Sequence, residues 1–476
     1  MKNIISLFYV FLFILNASYS QEVMIYDANF KTALIANGVD KNLDDLIQIT
    51  EAEATQILNL KGKSITSLAG IEAFVNLQQL DCSWNQLSQI NTDNFTNLLS
   101  LNVAANQLTN IDVSKNTVLS FFDCSQNHLS NINLSANTLL TTFYCGANLL
   151  TSINLSNNIL LQDLDCSFNT LSSVDFSKNV ALTSLNCISC GLKNLDVSLN
   201  TKLESLNCMY NQLTSLNLSK NTKLDYLHCA SNKITTLEVT KNTVLTFLNC
   251  SDNLLSVLDI SKNTALIDIN CNDNQLSILD LTLNTKLYSL NCDKNLLDFL
   301  IVNKSTNLNT IHCSNNQLTG LTVSKNRVLK ELVCTKNSII GLNVVHNMYL
   351  STLHCSQNPF LSYICVASEV YATGNVNYQK DAASSWTEDC SKVIISEITD
   401  LSSNTNDEKT IYPNPATNQI TISGDVEEVT IYNNLGISVL HSTSTHVEIG
   451  HLQTGIYHVA VNYAKQQFKS YKLLVY

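Results

Sequence analysis

From Leu98 to Leu361 the apolar residues fall into fixed columns with polar residues between them. A representative stretch is "LNCSDNLLSVLDISKNTAL", Leu248 to Leu266. Leu248 and Cys250 alternate with Asn249 and Ser251, which predicts a short strand with both apolar side chains turned to the interior. Their columns stay apolar in every copy. From Cys124 to Cys355 a cysteine recurs every 21 residues without one insertion. Cys82 lies two periods before Cys124 with Val103 between them, and Leu60 opens the series one longer step earlier. So strict a period predicts one small unit stacked many times, its strands joined in a single parallel sheet.

Polar columns carry as much information. An asparagine follows each strand (Asn85, Asn106, Asn127, Asn148 and Asn169, then Asn211 to Asn358), where the chain must turn while buried. Its amide can satisfy backbone groups of neighbouring turns, so a continuous asparagine ladder is expected. A second asparagine column runs from Asn116 to Asn347, with Ser305 the exception, ahead of an unbroken leucine column from Leu119 to Leu350, and marks the opposite turn. The whole pattern, L-x-x-L-x-C-x-x-N-x-L, resembles the leucine-rich repeat signature with cysteine at its sixth position, over about Ile57 to Cys365. That resemblance implies a leucine-rich repeat solenoid, a parallel β-sheet horseshoe with a short strand plus turns per repeat. Cys190 replaces asparagine at a position where the signature allows it, so it reads as structural rather than as a redox partner of Cys187.

Why the column should be cysteine is a question of geometry. Neighbouring strands lie about 4.8 Å apart, which would let alpha carbons come within disulfide range, but parallel beta-carbon vectors keep that same separation, beyond the roughly 3.8 Å mean of a disulfide. The column also holds thirteen cysteines, an odd number. A metal needs several ligands converging on one point, and a flat row offers at most two thiols to each. Free cysteine behaves as a small buried hydrophobe, so the column is expected to fill the core.

The amino terminus indicates the compartment. Lys2, the apolar run Ile4 to Leu15, and the small residues Ala17, Ser18 and Ser20 before Gln21 form a secretory signal peptide over residues 1–20. The run ends at Asn16, short of the ~20 residues a membrane span needs, and no later segment is long enough. Lysine and arginine number 27 against 39 acids, a formal charge of −12, which disfavours nucleic acid or anionic membrane as a partner.

Two end structures are expected. Residues 21–56 read as a helical cap in which "DKNLDDLIQITE", Asp40 to Glu51, resembles an EF-hand loop between two helices, "DANFKTALIANG" and "EAEATQIL". Asp40, Asn42, Asp44 and Glu51 would ligate calcium, with the Leu46 carbonyl as a further oxygen; Asp45 departs from the glycine of that family. After the solenoid (residues 57–365), Cys365 and Cys390 flank a segment that must cover its open end (residues 366–391), and one disulfide between them is expected.

A polar linker (residues 392–410) leads to a different text. From Ile411 onward alternating strands broken by Gly424, Gly436 and Gly455 predict a small immunoglobulin-like β-sandwich. Its Y-P-N-P start at Tyr412, Pro413, Asn414 and Pro415, Gly436, the G-I-Y of Gly455 to Tyr457, and Lys472 of a closing K-L-L-V resemble the C-terminal sorting domain of type IX secretion substrates (residues 411–476). The resemblance implies that type IX machinery moves the chain across the outer membrane after export to the periplasm, leaving it secreted or on the outer cell surface. A generic carbohydrate-binding sandwich fits less well, because the aromatic residues alternate with strand spacing and read as internal.

Catalysis needs groups converging within a few ångströms, and His228, His312 and His354 sit in distant repeats, so no enzyme is expected. Binding fits better, because stacked strands offer one long concave surface. Outward positions three before, one before and one after each cysteine form a mostly polar stripe that turns aromatic near the middle. There Met209, Tyr210, Tyr226 and Phe247 surround His228, and Phe121, Tyr144 and Phe168 form a looser group. Exposed rings beside Asn and Asp suit a protein or glycan ligand; the other reading is a surface spacer that binds nothing. The lysines at 115, 178, 220, 241 and 262 are expected to be a solvated rim.

Overall fold

The computed structural model describes residues 21–393 and, between 411 and 475, all except Pro413, Pro415, 433–437, 454 and 464–466. The signal peptide, most of the linker, Pro413, Pro415 and Gly436 lie outside the described residues. The chain divides into two compact units, one ending at Ser396 and the other beginning at Glu397.

In the first unit fifteen three-residue strands, from Ile57–Asn59 to Thr352–His354, and the two-residue strand Tyr378–Gln379 pair in register into one 16-stranded parallel sheet. From Ser100–Asn102 to Thr352–His354 each strand of this sheet shows the same profile: the middle residue is buried and its two neighbours are half-buried, as in Phe247–Asn249. The column cysteines follow the strands and are all buried and free, Cys190 included. Leucine, isoleucine, valine and cysteine from Leu58 to Val366 form one continuous apolar core. Burial pushes the Cys250 thiol well above its ordinary range, as it does its neighbours Cys229 and Cys271.

The asparagines form two ladders of different chemistry. In the inner ladder Asn253 Nδ2 donates to the carbonyls of Cys229, Cys250 and Ser251, each at 3.1 Å, and its Oδ1 accepts from the Ile234 N–H at 3.0 Å. One side chain thus joins two successive turns. In the outer ladder Asn263 Nδ2 reaches Val239 O at 2.9 Å and Asn242 O at 2.8 Å, while its buried Oδ1 finds no partner among the described residues. Ser305 keeps that ladder continuous by donating its Oγ to Asn284 O at 2.9 Å.

Two residues after each core cysteine, and after Val103 in the same column, the backbone enters the left-handed region whatever the side chain: Ala105 at φ 53°, Asp252 at φ 51° and Lys294 at φ 51°. Non-glycine residues take this conformation uncommonly. Here a backbone bond to the next repeat holds it, as when Asp252 N–H donates to Asn272 O at 2.9 Å.

Both ends are covered. Helix α1 (Ala28–Ala36) is N-capped by Asp27, whose other oxygen accepts from the Thr66 hydroxyl and from the Thr66 and Ser67 N–H groups. Helix α2 (Ile49–Ala54) is shorter than its sequence suggests: Thr55 turns extended, and Ile57 and Leu58 join the first strand of the sheet. At the far end α3 (Glu369–Gly374) and the strands Tyr378–Gln379 and Ser385–Thr387 close the stack. Cys365 and Cys390 form a disulfide there, with alpha carbons 5.1 Å apart.

The second unit packs a three-stranded and a four-stranded antiparallel sheet around Ile420, Val429, Ile431, Val447, Val459 and Leu473. Tyr457 is buried and donates its hydroxyl to Gln453 O at 2.8 Å, while Tyr412 is exposed. Asn414 is half-buried, Gly455 opens a nine-residue strand, and Lys472 pairs with His458 along it.

Candidate functional site

The sheet's solvent-facing side is set by the strand profile, because residues flanking each buried middle position point away from the core. Tyr226, His228 and Phe247 meet there. Tyr226 and Phe247 are partners on adjacent strands, and their rings stack with centroids 4.4 Å apart and planes within 6°. The spacing of parallel strands, about 4.8 Å, is close to a stacking distance, so two aromatics in one column stack with little rearrangement. His228 stands edge-on to both, 6.5 Å from the Tyr226 ring and 6.2 Å from the Phe247 ring. Burial lowers the His228 pKa and raises that of Tyr226, so both are neutral at neutral pH.

The other members of the expected group lie apart. Met209 follows Cys208 and is half-buried. Tyr210 occupies the left-handed position at φ 55°, which turns it to the rim of the repeat, 57% exposed. The looser group also separates. Phe121 and Tyr144 meet edge to face at 5.9 Å, but Phe168 stands at the left-handed position of its repeat, 57% exposed. Strand alternation could not find this, because it ends before the turn. The five lysines at 115, 178, 220, 241 and 262 are exposed on the turns.

Phe168 instead lines a surface hollow with Leu149, Thr170, Ser172, Ser189 and Gly191. Its origin is Cys190. Elsewhere the inner-ladder Oδ1 serves a leucine or isoleucine N–H in the previous turn, as Asn169 serves Leu150 at 2.9 Å. A thiol offers Leu171 no such oxygen, and the loop beside it departs from the repeat, with Ser172 at φ 53°.

On the concave columns between Gln79 and Ser356 there are seven acids and no lysine or arginine. Six of the acids are partnered within the protein. Asp81, Asp123 and Asp165 accept from the serine two residues on, and Asp163 accepts from the Tyr144 hydroxyl. Asp293 accepts from the Ser314 N–H, and Glu331 lies 3.1 Å from His312 Nε2. Burial raises the Asp123 pKa, with the Asp165 and Asp81 charges adding to it.

The N-terminal loop spends its oxygens on its own backbone. Asp40 accepts from the N–H groups of Leu43, Asp44 and Asp45, and Asp44 from Leu46 N–H and Gln48 Nε2. Glu51 closes a capping box, with one oxygen on Lys41 N–H and the other on Gln48 N–H. Asn42 turns its Nδ2, a donor, toward Asp44 at 2.9 Å. The oxygen types suit calcium, yet among the described residues no group of three or more His, Cys, Asp and Glu is placed to hold a metal ion.

Comparison with known proteins fits this architecture. Residues 410–476 match the family described as "Secretion system C-terminal sorting domain". The functional domain of InlJ from Listeria monocytogenes, described as including a cysteine ladder, aligns with a TM-score of 0.69 and 26% identity, covering 95% of this chain and 99% of that one. A leucine-rich repeat protein of Leptospira interrogans shares the fold at a TM-score of 0.59 and 20% identity, over 67% of this chain and 91% of its own. The Listeria monocytogenes internalin InlF does so at 0.57 and 24%, over 68% and 94%. No curated protein matches the chain significantly.

Proposed function

From a leucine-rich repeat solenoid that carries a type IX secretion sorting domain, and is therefore a secreted or outer-surface protein, we propose a recognition or adhesion protein. Its ligand, a protein or a glycan, docks on the concave face around Tyr226, His228 and Phe247, with Met209 and Tyr210 at the edge. The observation that carries this reading is the stacked pair of half-buried rings standing on a mostly polar sheet face. Exposing two rings in register has a hydration cost that a surface with no ligand gains nothing from. The protein ligand is favoured over the glycan because protein hot spots combine such rings with charged and amide neighbours.

Incubating the full chain with protein and glycan arrays tests the reading. A specific ligand whose binding falls at least tenfold in Tyr226→Ala and Phe247→Ala supports it. No ligand, or one indifferent to both changes, supports the spacer. In the N-terminal loop, the backbone bonds to Asp40 and Glu51 favour a capping role. Calcium coordination by Asp40, Asn42, Asp44, Glu51 and the Leu46 carbonyl is the competing proposal, and isothermal titration decides between them.

A further inference from the structure

Asp268 is the one acid of the concave columns whose carboxylate makes no hydrogen bond or ion pair among the described residues. It is half-buried, and it is the register partner of Phe247 on the adjacent strand. Tyr226 covers one face of the Phe247 ring at 4.4 Å. The opposite face therefore looks toward the Asp268 strand. An aspartate side chain is much shorter than a phenylalanine, and the next residue in that column is Ser289. Beyond the carboxylate this leaves a slot with an aromatic wall and an anionic floor.

We propose that this slot receives an arginine side chain of a polypeptide partner, which deepens the recognition role proposed above and rests on it. The guanidinium is planar, stacks on an aromatic face, and pairs with a carboxylate through a fork of N–H donors. Asp268 supplies the acceptor and Phe247 the plane. Charge complementarity extends beyond the slot: no lysine or arginine interrupts the concave columns from Gln79 to Ser356, and the exposed lysines at 115, 178, 220, 241 and 262 lie on the turns. A basic segment laid along the sheet meets an acid or an amide on most of the strands it crosses. His228, neutral through burial, adds no repulsion. The other six acids are engaged by their own neighbours, which singles out Asp268 as the point of direct pairing.

The test uses the full chain and fluorescein-labelled nona-arginine, with nona-lysine and nona-glutamate as controls, read by fluorescence anisotropy at physiological salt. Nona-arginine is expected to bind more tightly than nona-lysine, and nona-glutamate not at all. Asp268→Asn and Phe247→Ala should each weaken nona-arginine binding about tenfold, from loss of the charge-assisted bond or of the stacking plane. Asp93→Asn, which removes an equal charge from an exposed turn, should change it less than twofold. Thermal transitions of the variants confirm that each is folded. Absence of binding, equal affinity for nona-lysine, or equal weakening by Asp93→Asn and Asp268→Asn would overturn the proposal. Should nona-arginine fail while an array ligand is lost in Tyr226→Ala, recognition by the concave face stands and the arginine slot falls.

Discussion

The Cys190 sulfur lies 3.2 Å from the carbonyl oxygen of Cys166 in the preceding repeat, where every neighbouring turn has an asparagine amide. The thiol is a weak donor and only a weak acceptor, with no amide oxygen to offer Leu171. Cys190→Asn should restore the Nδ2 donor and the Oδ1 acceptor of the inner ladder and raise the stability of the solenoid by about 1 kcal/mol. Chemical denaturation reads the change. A lower midpoint would show that the Ser172 loop is itself a favoured conformation rather than a consequence of the missing oxygen.

Core filling by the cysteine column makes a sharp distinction between substitutions. Cys250→Ala leaves only a small cavity and should cost roughly 1–2 kcal/mol. Cys250→Asp buries a carboxylate among the apolar side chains of adjacent repeats and should cost several kcal/mol or prevent folding. Equal yields and equal denaturation midpoints for the two variants would contradict the core described here.

Asp27 links the first helix to the first turn. Burial alone would raise its pKa, but bonds from Thr66, Phe30 and Ser67 outweigh it and hold the carboxyl at about 2, below the unfolded value of 3.8. A depressed carboxyl contributes stability that is complete above the unfolded value and is lost as pH falls through the folded one. The parent should therefore lose stability at its N-terminal cap between pH ~4 and pH ~2. Asp27→Ala should be less stable by about 1 kcal/mol at neutral pH, and its thermal transition should be flatter across that acid range.

The Asp40 to Glu51 loop is expected to stand without a cation, because backbone N–H groups already occupy its carboxylates. A chelator should leave the thermal transition of the full chain unchanged, while Glu51→Gln, which weakens the capping box, should lower it. A transition that rises with added calcium and falls with chelator would establish the cation site instead.

The repeat was legible because burial writes itself into sequence at fixed intervals: Leu248, Cys250 and Asn253 each do one physical task, and copying preserves it. The disulfide was legible because Cys365 and Cys390 lie outside the cysteine column. The left-handed column was not, since Ala105, Asp252 and Lys294 share no residue type that announces it; the backbone bond between repeats imposes it. The same column removed Tyr210 and Phe168 from the groups in which strand alternation placed them. Ligand-type spacing at Asp40, Asn42 and Asp44 was visible in the sequence, but spacing cannot say whether an oxygen faces a cation or an N–H.

The free buried sulfurs, one in nearly every turn, give the molecule an internal record of where it opens. A thiolate reacts and a buried thiol does not, so a cysteine is captured by a water-soluble alkylating reagent only when its own turn exposes it. Mass spectrometry of timed alkylation would then rank the turns by how often each breathes, and would show whether fraying starts at the helical end, at the disulfide end, or at the fault beside Cys190.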